Sequence, residues 1–345
     1  MNETQSVGVQ SNPVGQPLRV VFMGCPDFAV PCLDAIAADP MFSIAAVYSM
    51  PDKPKGRGKT LGMTPIKERA LALGLPVFTP PSFRKDIAEV ERLAQFEPDF
   101  LVVVAYGLIL PESVLVIPRL APVNLHASLL PKYRGPSPIH AALLAGDCET
   151  GNTVMRMNSR MDEGDILAVG SLRIAPDESL ASLHDRLSAA GAPLLINTLI
   201  AFAAGSITPI FQDHTQATYT TKITSETARI DWRHPASELV RLVRAMTPCP
   251  GAWFEISGER LKVGQSAQGA DVPADTLPGT ILQASPEKGL RIACGHGTSI
   301  DLLSLQRPGK GMTPITAYLR GNPLSSSASP LPPPTEEQPE GCKRL

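Results

Sequence analysis

The sequence predicts two folded units in tandem, an α/β unit built on a mostly parallel sheet and then a small β-barrel. Three observations predict it. The amino half alternates continuous apolar runs with helical stretches, the rhythm of strands buried on both faces and joined by right-handed crossovers. The carboxyl third carries short segments of alternating character, separated by turn residues. At 345 residues the chain is long enough for two cores that need no disulfide or metal staples.

Arg19–Met23, Ile44–Tyr48 and Phe100–Ala105 are the first apolar or β-branched runs, with helices around Val30–Ala38 and Ile66–Leu73 between them. Only Gly24 follows the first strand, so the spaced-glycine dinucleotide fingerprint is absent and the frame is Rossmann-like without NAD. Pro122–His126 reads as a short strand. The loop Pro131–Gly135 then leads into a helix over Pro138–Ala145, with Pro at its start and Gly146 past its end. A long helix covers Leu180–Ala204, with Leu183, Leu187, Leu194 and Leu195 on one stripe and Pro193 placed to kink or interrupt it. Gly205–Pro209 and Gln212–Thr221 read as linker. Beyond them, Ala236–Met246 is a short amphipathic helix stopped by Pro248-Cys-Pro-Gly251. The barrel strands are expected at Ala252–Ile256, Arg260–Gly264, Gly279–Ala284, Leu290–Cys294 and Thr298–Ser304.

The expected divisions are a leader at 1–17, an α/β domain at 18–205, a linker at 206–224, a barrel at 225–324 and a tail at 325–345. The leader is polar, lacks Lys and Arg, and contains Glu3, unlike a secretory signal or an Arg-rich transit peptide. The tail is rich in Ser and Pro and is expected to bury no core, so disorder is expected at both ends. No apolar run reads as long enough to span a bilayer, and the expectation is a bacterial cytoplasmic protein acting as a monomer. Cys25, Cys32, Cys148, Cys249, Cys294 and Cys342 are scattered without C-x-x-C spacing or a ligand cluster, which reads as small buried thiols in a reducing compartment. A formal charge of −2 does not mark a nucleic-acid binder, so any such role rests on local patches. From Tyr219 to Leu324 twelve Lys/Arg face nine Asp/Glu, an excess that composition alone reads as an ordinary mixed surface.

The chemistry concentrates in Asn124-Leu-His126 and in Met161-Asp162-Glu163-Gly164-Asp165. Asn124 and His126 stand two apart on the expected strand, so their side chains leave the same face, at the carboxyl end where open α/β sheets place reactive groups. An amide, an imidazole and a carboxylate can together hold a carbonyl, stabilise the oxyanion formed on attack, and move protons. Asp162 and Asp165 are both candidates for the carboxylate. A second cluster, Lys53-Pro-Lys55-Gly-Arg57-Gly-Lys59, is a Gly-rich basic loop able to reach a phosphate backbone. From Lys53 to Arg69 six Lys/Arg are opposed in sequence only by Glu68.

The run Asn124-Leu-His126-Ala-Ser128-Leu129-Leu130-Pro131-Lys-Tyr-Arg-Gly135, with Gly146-Asp-Cys-Glu-Thr-Gly151 and Met161-Asp-Glu-Gly-Asp-Ile-Leu167, resembles the signature of the folate-dependent formyltransferases. Similar stretches recur at Val21–Pro31, Lys55–Lys59, Val103–Pro111 and Ala228–Trp232, so the resemblance runs from about Arg19 to about Pro308. It implies an enzyme that moves the formyl group of 10-formyltetrahydrofolate to an amine by direct attack through a tetrahedral intermediate, with no metal. It also implies an oligonucleotide-binding-like carboxyl barrel. Within the family the chain most resembles members that act on methionyl initiator tRNA in translation initiation.

The resemblance points to Asn124, His126 and Asp162 as catalytic, choosing Asp162 over Asp165. It implies folate contacts at Ser128, Leu129, Leu130 and Pro131 and along Tyr106, Gly107, Leu108 and Leu110, and tRNA contacts at Lys55, Arg57 and Lys59. Tyr133, Arg134 and His140 are left open between contacting substrate and propping the loop. Cys25 departs from the family's usual Thr or Ser, which weakens any hydroxyl contact at that turn. Three competing readings share the core: a formyltransferase on a small amine such as a nucleotide sugar or glycinamide ribonucleotide, a formyltetrahydrofolate hydrolase, and a non-catalytic tRNA-binding module.

Overall fold

A computed structural model of the chain describes residues 16–55, 60–324 and 331. The first elements are β1 (Leu18–Gly24), α1 (Val30–Ala38), β2 (Phe42–Tyr48), β3 (Lys53–Lys55), β4 (Thr60–Gly62), α2 (Pro65–Ala72), β5 (Val77–Phe78) and α3 (Ile87–Gln95). There follow β6 (Phe100–Val104), α4 (Glu112–Leu115), β7 (Ala121–His126), α5 (Pro138–Ala145), β8 (Glu149–Arg156), β9 (Ile166–Arg173) and α6 (Leu180–Ala203). The carboxyl part holds α7 (Ala236–Met246), β10 (Ala252–Ile256), β11 (Glu259–Gln268), β12 (Ile281–Ser285), β13 (Gly289–Ala293), β14 (Ser299–Gln306), β15 (Thr313–Pro314) and α8 (Ile315–Gly321).

β6 is Phe-Leu-Val-Val-Val and buried throughout, as a strand covered on both faces must be. It stops at Val104 rather than at the expected Ala105, because Ala105 turns out of the sheet at φ 48°. α2 starts where Thr64 Oγ1 accepts from the Lys67 N–H (3.2 Å) with Pro65 at the first helical position. Seven strands form one sheet in the order β5-β2-β1-β6-β7-β8-β9. β5 through β7 are parallel, and β8 and β9 add antiparallel. Strand order reverses between β1 and β6, so the crevice beyond their carboxyl ends is the place where this architecture receives ligands. The α/β expectation holds, but it lacked β8 and β9. The buried interior of β8 is largely polar in type (Thr150, Asn152, Thr153), which hides it from a search for apolar runs.

α6 corrects two expectations. Pro193 does not interrupt it, since residues on both sides, among them Leu187, Ala192, Leu195 and Leu199, are buried and hold the helix down. By length and composition it is long and apolar enough to cross a bilayer, contrary to the sequence reading. Its apolar stripe packs on the sheet instead: Asn152 Nδ2 donates to Leu187 O (2.8 Å) and Ser188 Oγ to Phe28 O (2.8 Å).

The chain divides into two compact units, Met1–Pro138 with Cys148–Ile174 and Leu183–Thr220, and Ile139–Asp147 with Ala175–Ser182 and Thr221–Leu345. The expected single linker at 206–224 is therefore corrected, because residues up to Thr220 are built into the first unit and α5 is built into the second. Arg241 Nε on α7 donates to Leu144 O on α5 (2.9 Å).

In the second unit, β10-β11-β14-β13-β12 form an antiparallel, barrel-like sheet with β15 on β14. Trp232, Trp253, Phe254, Leu261, Ile292 and Leu305 fill its core beneath α7 and α8. Trp253 Nε1 donates to Ser225 O (2.7 Å), satisfying the one polar atom of a buried indole. Leu331 corrects the expected coreless tail: it is 7% exposed, joins this core and donates its N–H to Gly279 O (2.9 Å). The rest of the tail from Ser325, and the leader before Gln16, lie outside the described residues. The thiol reading also needs correction, for Cys148 and Cys249 are exposed while Cys32 and Cys294 are buried. Cys342 lies outside the described residues.

Candidate active site

Asn124 and His126 ride on β7, the central member of three paired strands. Asn124 stands opposite Val103 of β6 and Met155 of β8, and His126 opposite Thr153. Backbone pairing, on both sides at Asn124 and with β8 at His126, thus sets where the two side chains emerge, and the period of two puts them on one face. Asn124 is half-buried and His126 is 6% exposed. His126 Nε2 lies 2.9 Å from Tyr133 O. A carbonyl only accepts, so Nε2 bears a proton there, and Nδ1 is the ring atom turned to Asp162 Oδ2 at 3.7 Å. That separation is a charge contact rather than a hydrogen bond.

Asp162 sits in the turn between β8 and β9 at φ 54°, a left-handed backbone rarely taken by a residue with a Cβ. Its Oδ2 accepts the Gly135 N–H (2.7 Å), which aims the carboxylate at the histidine. The next glycine is required sterically, since a Cβ on Gly164 would lie 1.7 Å from Arg156 O. Asp165 gives its backbone carbonyl to the Arg156 N–H (2.9 Å), and no contact of its carboxylate with His126 occurs among the described residues.

Arg134 has no solvent exposure, which resolves its open role toward propping the loop. Its Nε and Nη2 donate to Gln212 Oε1 (3.1 and 2.8 Å), and Nη1 donates to the Tyr219 hydroxyl (3.0 Å) and pairs with Glu163 (3.4 Å). Tyr133 acts on the site through its backbone carbonyl. His140 is on α5, in the other unit, where burial lowers its pKa. Gln212, Glu163 and Thr218 were missed by sequence reasoning. The partners that tie them to the site (Arg134 for Glu163 and Gln212, Tyr133 for Thr218) stand far away in the chain, and no local spacing signals them.

At the switch point Cys25 Sγ donates to Tyr106 O (2.9 Å), joining the end of β1 to the loop after β6. The expected weakened contact is thus a thiol contact, and burial pushes the thiol pKa up. Tyr106 and Leu110 are buried, Leu108 is half-buried and Gly107 is exposed at φ 85°. Among the described residues the N–H groups of Gly107, Leu108 and Leu110 are not engaged by the chain's own backbone. Ser128, expected as a folate contact, is engaged within the chain. It is fully buried, its hydroxyl donates to Lys132 O (2.6 Å), and its carbonyl accepts from Thr153 Oγ1 (2.7 Å). Leu130 is likewise buried and held by Thr153, whereas Leu129 and Pro131 are half-buried.

The basic loop belongs to the β3–β4 hairpin, in which Lys53 pairs with Gly62. Lys55 ends β3, while Arg57 and Lys59 lie outside the described residues. Lys67 and Arg69 are taken by Asp52 (2.8 Å) and Asp34 (2.6 Å), so two of the six cations have acidic partners within the chain.

Residues 18–199 match the family model described as formyl transferase, and residues 222–323 match the model of the formyl transferase carboxyl-terminal domain. The chain is 46% identical over 308 residues to methionyl-tRNA formyltransferase of Methylococcus capsulatus, covering 89% of this chain and 98% of the relative. It is 43% identical over 309 residues to methionyl-tRNA formyltransferase of Thiobacillus denitrificans, covering 90% and 98%. A solved N-formyltransferase from Helicobacter canadensis, in complex with folinic acid and dTDP-3-aminofucose, superposes with a TM-score of 0.62. That likeness covers 84% of this chain and 99% of the other at 17% identity, and it concerns the fold.

Proposed function

The chain belongs to the formyl transferase family, and from that premise we propose that it moves the formyl group of 10-formyltetrahydrofolate to the α-amino group of methionyl initiator tRNA, for translation initiation. The observation that carries the reading is the His126–Asp162 contact at the carboxyl end of β7, with Asn124 two residues earlier on the same strand, near the β1/β6 switch point. The folate supplies the formyl carbon. Gly107, Leu108 and Leu110 suit its flat heterocycle, because unengaged backbone groups at a half-apolar mouth match a ring with its own donors and acceptors. Tyr106 frames that mouth, and Leu129 and Pro131 line it.

The amine attacks directly, so no covalent enzyme intermediate is needed and Cys25 has no nucleophilic role. Asn124 donates its amide hydrogens to the developing oxyanion, a contribution of about 3 kcal/mol for one well-placed donor. His126 moves protons through Nδ1, the nitrogen not tied to Tyr133. Asp162, 3.7 Å from that nitrogen, orients the ring. Lys55, Arg57 and Lys59 hold the acceptor's phosphates, which gives affinity and position rather than base choice. The chain works as a monomer in the bacterial cytoplasm.

The test is a formyl-transfer assay with 10-formyltetrahydrofolate on methionyl initiator tRNA, methionyl elongator tRNA and free methionine. Transfer confined to the initiator species is expected. Folate consumption without transfer would make the chain a hydrolase, and transfer only to a supplied small amine would move it to another branch of the family. Arg57→Ala is expected to weaken use of the tRNA and lower the salt slope by about one counterion. An unchanged slope removes the loop from the tRNA site.

A further inference from the structure

Residues 212–220 read as linker in the sequence, yet they bond Asp162 directly and the loop that holds His126. Gln212 is buried and uses every polar atom: Nε2 donates to Asp162 O (2.8 Å) and Gly164 O (2.7 Å), while Oε1 accepts from Arg134. Only this orientation of the amide is consistent, since one end meets two carbonyls and the other meets a guanidinium. One carbonyl belongs to the left-handed Asp162 and the other lies two residues on, so the amide ties down the turn in which a backbone conformation disfavoured by the residue itself occurs. Farther along, Thr218 Oγ1 accepts the Tyr133 N–H (2.8 Å), Thr218 O accepts the Arg134 N–H (2.9 Å) and Thr220 N donates to Arg134 O (2.7 Å). Those bonds align 133–135, whose Tyr133 O meets His126 Nε2 and whose Gly135 N–H meets Asp162 Oδ2. A Cβ on Gly135 would lie 2.8 Å from Thr220 O, so the loop and the strap are in direct contact.

We propose that residues 212–220 are a strap that aligns the catalytic pair, with Gln212 and Thr218 as positioning residues that act through Asp162 and His126. The proposal rests on the catalytic reading given above and deepens it. Gln212 sets the direction of Asp162 through its backbone, Thr218 sets the carbonyl that holds the imidazole, and buried Arg134 ties the two ends together.

The test uses the full chain. Gln212→Glu keeps the acceptor for Arg134 and removes the donors to the Asp162 and Gly164 carbonyls. Its kcat is expected to fall about 30-fold with both KM values within about threefold of wild type, the mark of an interaction realised in the transition state. Thr218→Val changes an exposed side chain and leaves folding intact, and its kcat is expected to fall about fivefold. In an Asp162→Asn background, Gln212→Glu should cost less than about threefold more, because the residue acts through the one already lost. Wild-type kcat in both single variants overturns the strap. So does a Gln212→Glu loss as large in the Asp162→Asn background as in the wild type. If Asp162→Asn itself turns over at the wild-type rate, the catalytic reading fails first and takes this proposal with it.

Discussion

Asn124 and His126 occupy a strand bonded on both sides, whereas Asp162 occupies a turn whose backbone is held by one amide from fifty residues downstream. In the first region, position follows from many backbone hydrogen bonds that almost any side chain would permit. In the second, it follows from a few side-chain hydrogen bonds, chiefly those of Gln212 and of the Asp162 carboxylate itself. The difference means that the two sides of one site fail differently. On β7 the reacting group can be removed without moving its neighbours, while at the turn a change outside the reacting groups can displace Asp162.

Removing His126 is the strongest test of the strand side. His126→Ala is expected to lower kcat/KM by about a thousandfold or more with a folded chain retained, since its proton transfer and its donor at the reacting centre vanish. Near-normal turnover would break the assignment. Asn124→Ala should cost about a hundredfold or more in kcat, the loss of one oxyanion donor, with circular dichroism unchanged. For the turn side, Gly164→Ala forces a Cβ against the Arg156 carbonyl and must move the Asp162 backbone. We expect a kcat loss of about ten- to a hundredfold from this change outside the reacting groups, since a small misplacement is enough. Unaltered kcat would show that the turn tolerates displacement and erase the contrast. Cys25→Ser, on the sheet side, should alter kcat/KM by less than about threefold, because a hydroxyl simply takes over the donation to Tyr106 O. Alkylation followed by mass spectrometry at neutral pH should label Cys148 and Cys249 before the other described cysteines. Burial raises the Cys25 thiol and pushes Cys32 and Cys294 up to about 12, so they hold almost no thiolate there.

The same contrast governs what could be read from the residues alone. Buried parallel strands leave continuous apolar runs, and Asn124 and His126 sit at a spacing of two, so β1, β2, β6 and β7 and the shared face of the pair were legible. β8 was not, because its buried interior includes Thr150, Asn152 and Thr153. Asp162 was separated from Asp165 by family resemblance and not by spacing, since both lie in one turn. The strap was misread because Gln212 pairs with Asp162 and Arg134 across separations of 50 and 78 positions, and such bonds impose no local period. Leu331 was lost for a related reason. A single apolar residue amid Ser and Pro shows no pattern, yet one side chain is enough to close a gap in a barrel core.

The strap is also the last piece of its unit along the chain, with Thr220 directly preceding the segment that opens the rest of the second unit. The ribosome therefore delivers Asn124, His126 and Asp162 well before it delivers the residues that align them. A nascent chain that has reached residue 199, where the amino-terminal family match ends, already carries Asn124, His126, Asp162 and the seven strands, but no strap. Competence on this arrangement arrives late in synthesis and as a step, timed by the emergence of about nine residues rather than by completion of the sheet.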